Sequence, residues 1–421
     1  MKKGLYAVVA LAAVTLLTVL WLQRDDVQLA ERQTWLSQPQ EDGPLESSYR
    51  LWGLAASADA DPVAVGQLRF QEVSKLFDQH HFYDKPPTLE TDRLLSLDKP
   101  SGELYCGTWE SGCLSRLIEA TPASLTNELS RHATLLQRYQ DIVAQPTGPS
   151  PSRMSIEAPL PPLDYLVLAN RLVTFSAIQV AKTKSPVEAI TLLQGHQQQL
   201  RRHLAESDNI VTKAVYLSQI ASTIDAMAAM SEHYHVATPL IPELSVGERD
   251  PGRMFKSEFQ AYESMLTKMD QHPEMLRMGG HLPGWIGRLL FKPQMALNVM
   301  FLEYARLEEI AKQPTSDVAQ ALSKNFVNRE IGSLKNYTGA QLVEIADVSN
   351  QMERYVLEPH NLNSKIALLN ARSTDPKVLP ASPYGSTFGP PVLKDQWRCF
   401  DGPGEDEHLY RCLPEIGGGE G

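Results

Sequence analysis

The apolar positions of this chain fall into two patterns. One is an unbroken run, Leu5 to Leu22, eighteen residues without a charge. At ~1.5 Å per residue such a helix is ~27 Å long, close to the hydrocarbon core of a bilayer. The other is a stripe. Leu125, Leu129, His132, Leu136, Tyr139 and Val143 recur at alternating spacings of four and three, as do Ile210, Ala214, Leu217, Ala221, Ile224 and Ala228. Each stripe is one face of a helix, and neither alternates as a half-buried strand does.

Start and stop signals frame further helices. Asp61-Pro62, Thr121-Pro122 and Ser185-Pro186 each pair a capping residue with a proline suited to the first helical position. They predict helices from 62 to about 77, along the stripe that starts near 121, and over 186–206. A helix over 163–183 precedes the last of these. Ser207-Asp208 is expected to cap a third, over 208–233. Short loops make these three antiparallel neighbours. The first two resemble a tetratricopeptide unit at Ala177 and Ala189, but lack its Trp, Gly and Tyr, and no repeat follows. Further helices are expected over 253–271, 293–312 and 338–356, the last ending before Pro359 because proline breaks a helix interior.

Between the helices the composition shifts. Residues 38–44 read as a linker, and Gln145 to Pro162 holds six prolines. Ser373 to Leu393 is rich in Pro, Gly and Ser. Beyond it, residues 396–400 and 409–413 read as two short strands around Gly402-Pro403-Gly404. The expected organisation is a cytoplasmic start (1–4), a transmembrane anchor (5–22) and a stalk and linker (23–44). A first helical region (45–144), a Pro-rich linker (145–162) and a main helical region (163–358) follow. A Pro/Gly-rich segment (359–421) closes the chain with a hairpin and a disordered tail. The expected fold class is all-α: an irregular helical bundle or array behind one transmembrane helix, with a small disulfide-stapled β-hairpin.

Composition narrows the compartment. Lys2 and Lys3 precede the apolar run, and Arg24, Asp25 and Asp26 follow it. That places the N-terminus in the cytoplasm and the body across the inner membrane, in the periplasm. A cleaved leader would end in small residues, whereas this run ends Leu20-Trp21-Leu22. Lys2-Lys3-Gly4 resembles a prepilin processing site, but Val9 stands where those proteins carry Glu. The four cysteines form two local pairs, Cys106/Cys113 and Cys399/Cys412. They are expected as disulfides, because zinc sites use tighter spacing and histidine partners. The net charge of −11 argues against a nucleic-acid ligand.

Candidate chemistry is sparse. No zinc-protease, nucleophile-elbow, P-loop, dinucleotide or EF-hand motif is present. His233 and His235 lie two apart, so on a helix they diverge, and His80-His81 diverge as neighbours. His132 reads as a core histidine. Glu308-Glu309 and Glu258/Glu263 are the carboxylate pairs a glycan hydrolase would need, with nothing to set their separation. No catalytic residue, cofactor or metal is expected. The most unusual segment holds Gly280, His281, Trp285, Ile286, Leu289, Leu290 and Phe291 among four glycines. It reads as a buried connector that packs Trp285 into the core, or else as a ligand groove or membrane-surface segment. The expected function is a non-enzymatic envelope protein acting on a protein partner. The alternatives are a cell-wall hydrolase with dispersed catalytic residues and a carrier of an apolar ligand.

Overall fold

The structure, a computed structural model, describes residues 2–37, 45–78, 88–110, 112–151, 159–272, 276, 284–324, 334–345, 348–374 and 379–415. Helices dominate. In chain order they are α1 (Lys2–Gln23), α2 (Ala30–Leu36), α3 (Leu45–Trp52), α4 (Pro62–Asp78), α5 (Cys113–Glu119), α6 (Pro122–Arg131), α7 (Ala133–Ala144), α8 (Leu163–Thr183) and α9 (Pro186–Glu206). Then come α10 (Ile210–Tyr234), α11 (Val246–Arg249), α12 (Gly252–Gln271), α13 (Gly284–Leu289), α14 (Pro293–Ala311), α15 (Thr315–Leu322), α16 (Tyr337–Ile345) and α17 (Val348–Thr374). The chain forms two compact units. One comprises Met1–Pro39, Phe259–Leu307 and Asn325–Met352, and the other Gln40–Glu258, Glu308–Lys324 and Glu353–Gly421.

The larger unit is built on α8, α9 and α10, with α9 packed on both neighbours. Leu172 and Phe175 of α8, Leu193 and Leu200 of α9 and Ile220 and Ile224 of α10 share one core with Leu135 and Tyr139 of α7. Residues before and after the Pro-rich stretch thus belong to the same core. The stretch itself is strapped down: Ser150 donates its N–H and its hydroxyl to the Asp208 carboxylate, and the Thr147 N–H donates to Glu206. Asp208 is therefore occupied, and Asn209 caps α10 instead. Its Oδ1 accepts from Val211 and Thr212 N–H, both at 3.0 Å. Thr121 caps α6 as its sequence predicts, through Ser124 N–H at 3.1 Å. The stripe beyond it is two helices, because His132 (φ −109°, ψ 25°) leaves helical geometry while its ring is buried edge-on to Tyr105. Ser185 opens α9 with no side-chain cap.

The largest departure is α17. It does not stop before Pro359 but runs through it to Thr374. A proline inside a helix forfeits one backbone hydrogen bond. Here Leu362, Ile366 and Leu369 bury fully in the main core about one, two and three turns later, and that burial outweighs the lost bond. The neighbouring α3 and α4 meet backbone to backbone. A Cβ at Gly66 would sit 1.7 Å from the Tyr49 carbonyl oxygen, and one at Gly53 would sit 1.8 Å from that of Pro62. Only glycine permits that approach.

The C-terminal hairpin exists and carries a third strand. β1 (Val392–Lys394), β2 (Trp397–Cys399) and β3 (Cys412–Pro414) form an antiparallel sheet in that order. Asp395, at φ +54°, turns β1 into β2, a conformation Asp tolerates better than most residues. Cys399 lies opposite Cys412, and both expected pairs, Cys106–Cys113 and Cys399–Cys412, are bonded. Replacing Cys399 by Ser frees a thirteen-residue separation, which is expected to cost about 2–3 kcal/mol of local stability. Amide exchange should then quicken across 392–414 while far-UV helix signal holds. Phe400, Tyr410 and Leu413 belong to the main core, so an unchanged exchange pattern would mean that they hold the sheet without the staple.

In the smaller unit Trp35 of α2 packs edge-on to Phe259 at 5.7 Å and tilted against Phe301 at 5.6 Å. Arg32 is buried, pairs with Glu263 at 2.7 Å and lies over the Phe259 ring.

Candidate functional site

Two helix ends and the terminal sheet shape a cleft of about 560 Å³ in the larger unit. α10 ends at Tyr234, and His235 turns the chain in the left-handed region (φ +52°). That turn opens the space beside the last turn of α17 and strand β3. Leu368, Leu379, Pro380 and Leu413 supply apolar wall. The polar wall is fixed in advance. Arg372 donates to Glu232 at 3.1 Å and to the Pro414 carbonyl at 2.9 Å, and Arg398 pairs with Glu415. Burial holds the Arg372 pKa below its ordinary value, with Glu232 and Glu415 opposing that shift. His235 and Leu379 stand exposed at the rim.

A second cleft, of about 250 Å³, lies between α9 and the extended segment before α11. Gln194, Gln197 and Gln198 line it with Arg201. Arg201 is saturated by Glu248 and the carbonyls of Pro242 and Glu243. The extended segment is held by amides of α17: Asn370 pairs with both the N–H and the carbonyl of Ile241, and Asn363 accepts from Leu244 N–H.

The strongest electrostatics lie inside the core rather than in these clefts. Lys365 of α17 and Asp225 of α10 form a fully buried ion pair, with the Lys365 ammonium also 5.7 Å above the Trp397 ring. Burial pushes the Asp225 carboxyl up, and Lys365 opposes that shift. Arg171, buried nearby, is brought down to about 10, again by burial, with Asp225 opposing. His360 is pushed down to about 3 by burial and by Arg249. It is therefore neutral, with Nε2 against the Ala311 carbonyl at 3.2 Å and Nδ1 facing Arg249 and Thr315. His196 falls to about 4 by burial and meets Asn170 Oδ1 at 2.7 Å, in a network with Tyr139 and Gln219. None of these groups has a signal in local periodicity. A lone Asp among the apolar residues of α10 is the one hint, since a buried carboxylate needs a cation.

The residues singled out in the sequence are distributed as follows. Gly280, His281 and the His80-His81 pair lie outside the described residues. Trp285 is not packed into a core: it is 67% exposed on α13, while Phe291 is buried. Ile286, Leu289 and Leu290 are half-buried. His132 is buried, yet its Nε2 has no hydrogen-bond partner among the described residues, with the Glu128 carboxylate 3.8 Å away. His233 and His235 are both exposed. Glu308 and Glu309 share Lys312, and Glu263 is taken by Arg32. Glu258 is raised to about 7 by burial and lines neither cleft. No cluster of metal-ligating side chains occurs among the described residues.

The chain matches no family model, no curated protein and no solved structure. Function therefore rests on physical features alone. The most distinctive is α1. It is long and apolar enough to cross a membrane, and the window Tyr6–Gln23 is entirely unburied by the body. An N-terminal leader shares that property. Tyr6 and Trp21, both exposed, stand near its two ends, as aromatic residues do at membrane interfaces.

Proposed function

We propose that the protein is a single-pass envelope protein of the inner membrane, anchored by α1, with its helical body in the periplasm, and that it works by binding a protein partner. The observation that carries the anchor is the exposed apolar surface of α1, for which the body supplies no cover. The two disulfides support an oxidising compartment for the body. The 560 Å³ cleft supports the binding role. Its arginines are already paired and positioned, which suits recognition of a polar segment with little reorganisation on binding.

The reading is tested by joining a reporter active only outside the cytoplasm after Gly421 and following the protein through a high-salt wash. Reporter activity, retention in the membrane and a mature N-terminus at or near Met1 are expected. A mature N-terminus between Ala10 and Ala30 would make α1 a removed leader. An inactive reporter on a well-expressed protein would reverse the topology. A photoreactive residue at Leu379 tests the partner role in the same cells. A discrete protein adduct, lost when the crosslinker is moved to the exposed Val187 of α9, is expected. No adduct at Leu379 would overturn the cleft as the partner site.

A further inference from the structure

The segment that follows α1 is latched onto α14 within the smaller unit. Asp25, two residues beyond the end of α1, accepts from the Gln294 N–H at 3.0 Å and the Met295 N–H at 3.1 Å, at the start of α14. Asn298 Nδ2 then donates to the Val27 carbonyl at 3.0 Å. Two residues of chain reach at most ~7 Å, so the start of α14 lies close to where α1 ends.

α13, a short stretch of chain before that point, is fixed in its turn. Its turn continues past Leu289, with Leu290 N–H on the Ile286 carbonyl and Phe291 N–H on that of Arg288. Lys292 donates its ammonium back to the Leu289 and Phe291 carbonyls, and its N–H to Asn336 Oδ1. Thr338 donates its hydroxyl to the Gly287 carbonyl and its N–H to that of Leu290. From Trp285 to the start of α14 the path is ~9 Å of helical rise plus two residues, or ~16 Å.

On this frame Phe291 is buried and Ile286, Leu289 and Leu290 are half-buried, but two large apolar side chains are exposed. Trp285 is 67% exposed and Val27 85% exposed, though the Val27 carbonyl and the backbone just after Trp285 are held. Arg288, 3.6 Å from Asp270, and Arg24, next to Asp25 and Asp26, are exposed alongside. A tryptophan, an aliphatic residue and arginines, fixed within ~25 Å of the end of an apolar helix, match what a bilayer interface takes.

We propose that α13 is a second membrane contact: Trp285, with Val27, seats in the headgroup interface of the bilayer that α1 crosses. This rests on the anchor reading above. It adds that the smaller unit lies on the membrane surface instead of standing off on a stalk.

All four cysteines are disulfide-bonded, so a single introduced cysteine is the only thiol to label. Trp285→Cys and, separately, Val14→Cys in the middle of α1 would carry an environment-sensitive fluorophore. Each full-length protein is reconstituted into phosphatidylethanolamine–phosphatidylglycerol vesicles that contain a nitroxide lipid. With the nitroxide near the glycerol, the label at 285 should be quenched more strongly than that at 14. With the nitroxide deep in the acyl chain, the order should reverse. Quenching at 14 with none at 285 would overturn the second contact while leaving the anchor intact, and would free the Trp285 face for a protein. No quenching at either position would overturn both.

Discussion

Replacing Lys365 by Met is expected to destabilise the larger unit by about 3–5 kcal/mol, the usual cost of removing one partner of a buried ion pair. Lys365 and Asp225 are 0% and 4% exposed, so the carboxylate left behind has no water to turn to. Burial already pushes Asp225 upward, and the ammonium is the main influence opposing it. Without Lys365 only Arg171 is left to oppose burial, so the carboxyl moves further up and takes up a proton more readily. Stability of the variant should therefore fall as pH rises above the ordinary carboxylate range, where unfolding releases that proton. Urea midpoints at several pH values measure this. Asp225→Asn in the same background should recover a large part of the loss, because the uncompensated charge is gone. A Lys365→Met protein as stable as the parent would mean that the pair is not formed.

The second large effect concerns Arg138 of α7. Its guanidinium donates to the Leu54 carbonyl at 3.3 Å, Ser57 at 2.8 Å and Ala60 at 3.0 Å, and also to that of Ala56. One side chain thus satisfies the turn that joins α3 to α4. Arg138→Leu keeps apolar volume but removes every donor. The four carbonyls include buried ones, and each orphaned acceptor costs about 1–3 kcal/mol. A total loss of about 3–5 kcal/mol is expected. Arg138→Lys should recover little, because an ammonium offers three donors from a point rather than a flat fan. Limited proteolysis should cut between Ser57 and Asp61 in both variants well before it cuts the parent. Resistance in Arg138→Lys equal to the parent would show that charge alone holds the turn.

Each of these effects turns on an interaction that joins distant parts of the chain, and that is where reading the sequence alone fell short. Helices α8 and α9 were legible nearly to the residue, because Ser185-Pro186 marks the end of one and the start of the other within two positions. The disulfides were legible for the same reason, since each joins residues close in sequence. So was the apolar run of α1, whose length and composition need no partner to be recognised. Pro359 was misread because its local penalty is real; only the core around Leu362 and Ile366 shows that burial exceeds it. Asp208 was misread as a cap because its true partner, Ser150, lies 58 positions away.

The candidate site divides in the same way. Trp285 is locally an apolar residue among glycines, and that pattern suits a core as well as a surface. Thr338 and Asn336, some fifty positions later, decide the matter by fixing the α13 backbone with the indole outside. The partners Asp225 and Lys365 are 140 positions apart, and the cleft beside Arg372 needs the ends of α10, α17 and β3 together. By itself the sequence determined the long helices α4, α8, α9, α10, α12 and α14, the cysteine pairs and the apolar anchor-length run, because periodicity, capping and loop closure act over short spans. The tertiary structure decided which charges are buried, which cap is used and which apolar side chains face outward. Those depend on burial, which a residue acquires only from neighbours that folding brings to it.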